Sequence, residues 1–407
     1  MELPSLDVKK LDKSRRSEGV VLMTVGRNTR SLNKTSELEA IIAIGQSGEI
    51  VWHRLFEFGI MDCRRSLSDT LLVMATDGRA MEIDLDGTLI HQWYCAPRFP
   101  EGATGVPLDT LKLHHTICEI APGRYLSLSI EHKELKQPHG DFTHFMADTV
   151  VIFDRQGQIE REISTADLLD ETRISYGAEG PYYVHQGWSA TMDWSHGNSA
   201  ILDPKDGAII LSFRHQDALV KITEDGELIW ILGATVGWQG SQKESLLKIE
   251  GGRAFYHQHD PSFLSTGELM LFDNGVSGGI PPEPLQPLEE RESFGLAYAI
   301  DEQARTATET WRYGGTDLPY SHYVSGICEM PNSNRFIACA GLKHALDGSR
   351  VEFPPMGVGS MVFKEVTPEG DVVFEAEIND PEAVPEEGWN GFRPEYLPPK
   401  LSQKLVN

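Results

Sequence analysis

Ala40-Ile-Ile-Ala-Ile-Gly-Gln-Ser-Gly-Glu-Ile-Val-Trp52 reads as two short apolar strands around a polar turn that contains glycine. The unit returns as Ala80-Met-Glu-Ile-Asp-Leu-Asp-Gly-Thr-Leu-Ile-His-Gln-Trp93, Val150-Val-Ile-Phe-Asp-Arg-Gln-Gly-Gln-Ile-Glu-Arg-Glu-Ile163 and Ala218-Leu-Val-Lys-Ile-Thr-Glu-Asp-Gly-Glu-Leu-Ile-Trp230. A fifth copy, Leu296 to Trp311, has lost the glycine, and Met361 to Phe374 is the sixth. Gly48 and Gly87 lie 39 residues apart, close to the roughly 40–45 residues of a four-stranded propeller blade. Each copy follows a second candidate hairpin, such as Arg64 to Met74, His115 to Leu128 or Gly326 to Cys339. A hairpin pair used six times predicts an all-β, six-bladed β-propeller, because a two-sheet sandwich gives no reason for such a repeat. The expected layout is an N-terminal arm over residues 1–18, the propeller over 19–380, and a Pro-rich tail over 381–407 that packs on or closes it. Gly19 to Val25 lacks an inner partner, which either the tail, Phe392 to Lys400, or the N-terminal arm is expected to supply.

Charge narrows the partners. The 407 residues carry a formal net charge of −25 at pH 7, so neither a nucleic acid nor an anionic membrane gains from meeting the chain. No stretch approaches the length of a membrane-spanning helix. The five cysteines, Cys63, Cys95, Cys118, Cys328 and Cys339, are odd in number and have no zinc-knuckle spacing. The start of the chain lacks the apolar core of a signal peptide. These features give the expectation of a cytoplasmic protein that needs no cofactor. The sequence leaves the oligomeric state open, a homodimer included.

The inner strand of each blade lines the central channel. Three such strands open on a histidine: His115, His196 in Thr191-Met-Asp-Trp-Ser-His-Gly-Asn198, and His259. They are expected to converge on one axis. Asn198 falls on the same side of its strand as His196, and Arg214 ends the strand that follows. A cluster of imidazoles alone could bind a metal. An arginine in the same shell repels a cation and favours an oxyanion, so an anion site without metal is the expectation. The long connections 131–148, 168–191, 233–257 and 276–293 are candidate pocket walls, with Trp188 and Tyr256 as substrate contacts.

Met192-Asp-Trp-Ser-His-Gly-Asn-Ser199, Ser212-Phe-Arg-His-Gln-Asp-Ala-Leu-Val-Lys-Ile222 with Gly226-Glu-Leu-Ile-Trp-Ile-Leu-Gly233, and Gln258-His-Asp260 with Leu271-Phe-Asp-Asn-Gly275 resemble the bacterial aryl-sulfate sulfotransferases. These are six-bladed propellers that do not use a nucleotide sulfate donor. The resemblance runs from about His114 to Gly275 and more weakly to Gly341. It implies a small anionic, aromatic substrate and a sulfo-histidine intermediate on His259. It also implies that His115, His196, Asn198 and Arg214 hold the sulfuryl group, with His115 or His196 protonating the leaving phenolate. A hydroxyl ligand in the last blade would be Ser321 or Ser325; Ser325 is the one taken here. Two other readings use the same residues. One is a lyase or hydrolase of a small anionic metabolite with His259 as base, and the other is a non-catalytic propeller scaffold.

Overall fold

The computed structural model describes residues 3–28, 38–352 and 357–406. Within them the chain is mostly β, in antiparallel units of four strands in sequence order. All six repeats form the expected antiparallel hairpin: Leu38–Ile44 with Ile50–Phe56, Arg79–Ile83 with Leu89–Cys95, and so on to Val358–Val366 with Val372–Ile378. The turn glycines Gly48, Gly87, Gly157, Gly226 and Gly370 all have φ between 83° and 95°, a left-handed conformation that costs glycine nothing. The degenerate copy solves the same problem differently. Its turn is one residue longer, and Arg305 takes the left-handed position at φ 56°.

Hydrogen bonding gathers these units into five sheets among the described residues. Three begin with the strands Ile60–Arg65, His114–Ala121 and Gly197–Leu202 and run outward in sequence order. A fourth begins with His259–Phe263 and ends on Lys248–Glu250. The nine-stranded fifth sheet joins the unit Gly388–Leu397, Val20–Asn28, Leu38–Ile44, Ile50–Phe56 to the unit that starts at Gly326–Glu329. The join is a single parallel pairing of Gly359 with Gly388. The inner partner of Val20–Asn28 is thus the strand Gly388–Leu397, from the Pro-rich segment. The N-terminal strand Asp7–Leu11 goes instead to the outer edge of Val372–Ile378.

Successive units bury apolar faces against each other. Leu126 and Val150 of one unit pack with Trp194, Leu211 and Val220 of the next, and Leu219 and Trp230 pack with Leu271 and Tyr298. The stretch 131–148, expected as a connection, is instead a long hairpin, Arg124–His139 with Phe142–Asp154. Its ladder pairs His132 with Met146, Lys133 with Phe145 and Glu134 with His144 before the register shifts towards His139. Among the described residues no helix is long and apolar enough to cross a membrane.

Candidate active site

Four of the inner strands share one irregularity. The register slips between Ile60 and Asp62, His114 and Ile117, Gly197 and Ser199, and His259 and Ser262, each slip a β-bulge or comparable break near the start of its strand. At or beside these breaks, non-glycine residues adopt left-handed φ: His115 at 58°, His196 at 47° and Asp260 at 51°. Ser325, at 76°, precedes Gly326–Glu329, and His257, at 59°, precedes His259–Phe263. Such backbone strain concentrates where side chains are aimed for a purpose.

The result is a run of four imidazoles. Ring centroids are 5.2 Å apart for His115 and His196, 4.7 Å for His196 and His215, and 5.4 Å for His215 and His257. His259 follows Gln258, whose carbonyl accepts from Asn198 Nδ2 at 2.7 Å, which sets His259 on the strand beside that of His196. His115, His196 and Arg214 are partly open to solvent, whereas His215, His257 and His259 are buried. The three histidines that open inner strands do converge.

Each ring is held in a particular protonation pattern. Asn274 Nδ2 donates to the carbonyls of Ser321 (3.0 Å) and Val324 (3.3 Å), which turns its Oδ1 to His259 Nδ1 at 2.7 Å. The carbonyl of His257 lies 3.0 Å from the same nitrogen. Both partners only accept, so Nδ1 carries the hydrogen and the lone pair is left on Nε2. Burial, with the nearby charge of Arg214 next, holds His259 well below the ordinary histidine range. It is therefore a neutral imidazole near pH 7. His196 Nδ1 donates to Asp193 Oδ2 at 2.6 Å, which likewise places the hydrogen on Nδ1.

Arg214 bonds through Nη1 to His215 Nε2 and through Nη2 to the carbonyl of His322 at 3.3 Å. His215 Nδ1 donates to the carbonyl of Asp193 at 2.6 Å. His215 is thus neutral, an acceptor for the guanidinium. Arg214 Nε is buried with no partner. Burial brings Arg214 down to about 10, still cationic at neutral pH.

Asn198 Nδ2 donates to the carbonyl of Gln258 at 2.7 Å and so ties one inner strand to the next, while its Oδ1 is buried without a partner. Ser325 and Ser321, between which the sequence is ambiguous, share a hydrogen bond of 2.7 Å, and Ser325 Oγ also accepts from Ala340 N at 3.0 Å.

Two expected pocket walls come out differently. Gly187, at φ 94°, and a bond from Trp188 N to the carbonyl of Tyr183 turn the chain back on itself. Trp188 therefore packs on His132, 4.7 Å between ring centroids, and it is Tyr182 from the same segment that meets His196, at 5.5 Å. Tyr256 is clamped through its backbone, N to Asp273 Oδ1 at 2.8 Å and carbonyl to Gly275 N at 2.9 Å. Among the described residues its ring makes no ring contact with the histidines.

An open cavity of about 200 Å³ meets the site at His115 and Phe392, with Met61 and Val324 also among its lining residues. Phe392 stands edge-on to His259 at 5.7 Å. Asp193, His196 and His215 bring ligand atoms within 4.8 Å of one another. A metal does not suit that group, because His215 already spends both nitrogens on Arg214 and a carbonyl. The other acidic group, Asp203, Asp206 and Glu302, closes on Lys221 Nζ at 2.8, 2.7 and 2.6 Å.

The model of the arylsulfotransferase (ASST) family matches residues 7–386. The chain belongs to the arylsulfotransferase family. Arylsulfate sulfotransferase AssT of Escherichia coli is 33% identical over 214 residues, 47% of this chain and 35% of that protein. AssT of Lelliottia amnigena is 28% identical over 251 residues, 51% of this chain and 41% of that protein. The aligned region thus spans well under half the length of these arylsulfotransferases. Among solved structures, a protein from Bacteroides caccae aligns over 92% of this chain and 98% of its own, with a TM-score of 0.49 and 12% identity. Virginiamycin B lyase of Staphylococcus aureus aligns over 78% and 70%, with a TM-score of 0.36 and 12% identity. Likenesses at these scores carry no argument about chemistry. In this chain His215, His257, Asn274 and Arg393 join the site without having been singled out by the repeat, although His215 and Asn274 lie inside the motifs that carry the resemblance.

Proposed function

We propose that this protein transfers a sulfuryl group from an aryl sulfate to a phenolic acceptor through a sulfo-histidine on His259. The observation that carries the reading is the pairing of His259 Nδ1 with Asn274 Oδ1 at 2.7 Å, which leaves a neutral imidazole with its lone pair on Nε2. Family membership supports the same chemistry.

In the first step the Nε2 lone pair attacks sulfur as the sulfur–oxygen bond to the aryl group breaks. The phenolate leaves with that electron pair and takes a proton from Nε2 of His196 in its imidazolium form, whose Nδ1–H stays on Asp193, because His115, held neutral by burial, has no such proton to give. In the second step an acceptor phenol oxygen attacks the sulfur, loses its proton to the same base, and the Nε2–sulfur bond breaks to restore His259. A transition state of this kind is loose, so catalysis rests on positioning and on donors for the three sulfuryl oxygens. Arg214 supplies a cation beside His196, and each lost donor costs on the order of 3–4 kcal/mol. The second hydrogen of Asn198 Nδ2 is a further donor. The cavity beside His115 offers Met61, Val324 and Phe392 to an aryl ring, with Thr24, Glu39 and Thr76 as polar groups on the same wall.

The hairpin repeats support a six-bladed propeller, with the nine-stranded sheet read as two blades that share the Gly359–Gly388 pairing. All five cysteines are free, which suits a reducing compartment.

The test is incubation with 4-nitrophenyl sulfate, with and without a phenol. An adduct of one sulfuryl group on His259 by mass, and nitrophenol release that depends on acceptor, are expected. Release without acceptor and without adduct would move the protein to the hydrolase reading.

A further inference from the structure

Arg393 lies on the strand Gly388–Leu397 and is 1% exposed, with φ 25°. Its guanidinium reaches four other inner strands. Nη2 donates to the carbonyl of His115 at 3.0 Å and to that of Asn198 at 2.7 Å, and Nη1 donates to Ser199 Oγ at 3.3 Å. On its other side Nε is 3.3 Å from Asp62 Oδ1 and Nη1 is 3.9 Å from Asp260 Oδ1. Asp260 is the residue after His259, and its Oδ1 also takes Arg64 Nη2 at 2.7 Å, while its Oδ2 accepts Ile327 N at 3.0 Å. Even the space is committed, since a Cβ on Gly326 would meet Asp260 Oδ2 at 2.4 Å and Arg393 Cα at 2.9 Å.

We infer that Arg393 is a positioning residue that sets where His115 and Asn198 stand relative to His259. The inference rests on the proposed sulfuryl transfer for the role of those three residues. Its argument is geometric. His115 and Asn198 sit at bulges, where the ladder of strand hydrogen bonds is broken and cannot by itself fix the backbone. Their carbonyls are instead held by one planar group that binds two acceptors at once. Both bonds come from Nη2, whose two hydrogens are fixed in the plane that Nε and Nη1 hold against Asp62 and Ser199; a lysine ammonium could bind two acceptors but, turning freely on its stem, would not fix their direction. Asp62 and Asp260 keep the fork charged and facing His115 and Asn198. Both carboxylate oxygens of Asp62 lack a hydrogen-bond partner, and with Arg393 Nε at 3.3 Å and Arg64 Nε at 3.5 Å it serves both guanidinium groups as a counter-charge.

The experiment compares the wild type, Arg393→Lys and Asp62→Asn in the full chain. Three readouts are taken: kcat and KM for 4-nitrophenyl sulfate, Tm, and the Kd for inorganic sulfate. In Arg393→Lys, kcat is expected to fall by ~100-fold, the loss that a misplacement of about 1 Å produces, with KM changed by less than about threefold. Sulfate binding is expected to weaken in parallel. Asp62→Asn should lose kcat and sulfate affinity in the same direction, with a fall in Tm because two buried guanidinium groups lose a counter-charge. Wild-type kcat and sulfate affinity in a folded Arg393→Lys protein would overturn the inference. If Arg393→Lys does not fold, Asp62→Asn decides alone, and full activity there overturns it. A wild type that forms no adduct on His259 counts against the proposed reaction instead. The sulfate affinities of the variants then still show whether Arg393 positions the anion site.

Discussion

Asn274 Oδ1 and His259 Nδ1 lie 2.7 Å apart, and the amide is locked in that sense by its two bonds to the carbonyls of Ser321 and Val324. The pair fixes which nitrogen of His259 is free. Replacing Asn274 with Leu removes the acceptor and leaves only the carbonyl of His257 on Nδ1. Loss of a buried partner of this kind costs about 1–3 kcal/mol, so kcat is expected to fall ~10- to 100-fold. Single-turnover formation of the His259 adduct checks it, and an unchanged rate would deny Asn274 its orienting role.

Acid should destabilise the protein from about pH 6.5 downward. His115, His215, His257 and His259 are all held below the ordinary histidine range, chiefly by burial, with the charges of neighbouring histidines or Arg214 next. Below pH 6.5 the unfolded chain binds protons that the folded chain refuses, so stability is lost as pH falls, at ~1.4 kcal/mol per histidine per unit of separation. Asp273 works the other way. Burial raises it to about 6, so it binds a proton in the folded state first and offsets part of the loss. Tm measured from pH 8 to 5.5 is expected to decline, and a Tm that rises over that range would contradict the buried neutral rings.

Gly177 is where the 168–191 segment presses on the site. A Cβ there would lie 2.4 Å from His257 Nε2 and 2.6 Å from His215 Cδ2. Gly177→Ala must displace a ring or lift the segment, an overpacking cost of about 1–3 kcal/mol. Because His215 carries Arg214, activity should fall by more than the drop in Tm explains. Equal activity in the wild type and the alanine variant would show that the segment yields freely.

Dialysis against a chelator should leave turnover intact. The group Asp193, His196 and His215 has the spacing of a metal site, yet His215 Nε2 takes a hydrogen from Arg214, and a guanidinium and a divalent cation compete for that nitrogen. Activity that disappears on dialysis and returns with zinc would reverse the assignment.

Much of this arrangement is legible before any coordinates. The hairpin repeat survives because a turn glycine and a period of two leave marks that a single chain retains, and even the copy without glycine marks its place with Arg305 at φ 56°. His115, His196 and His259 are legible because they recur at one position of the unit. His215 and His257 are not, since each sits beside a repeating position rather than on it. Arg393 acts on the carbonyl of His115 across 278 residues of sequence, and no local pattern encodes that reach. Trp188 misleads for a local reason, the backbone turn at Gly187, which sends the indole to His132 and gives the place beside His196 to Tyr182.

The strand Gly388–Leu397 also imposes an order of assembly. Val20–Asn28 is among the first strands synthesised, yet its inner edge is taken by one of the last. Phe392 and Arg393, which touch His259 and hold His115, arrive with that strand. A nascent or truncated chain that stops before residue 388 therefore carries every histidine of the run but neither of these two. A fragment released early lacks the group that holds the carbonyls of His115 and Asn198, and its run of histidines is left without that support.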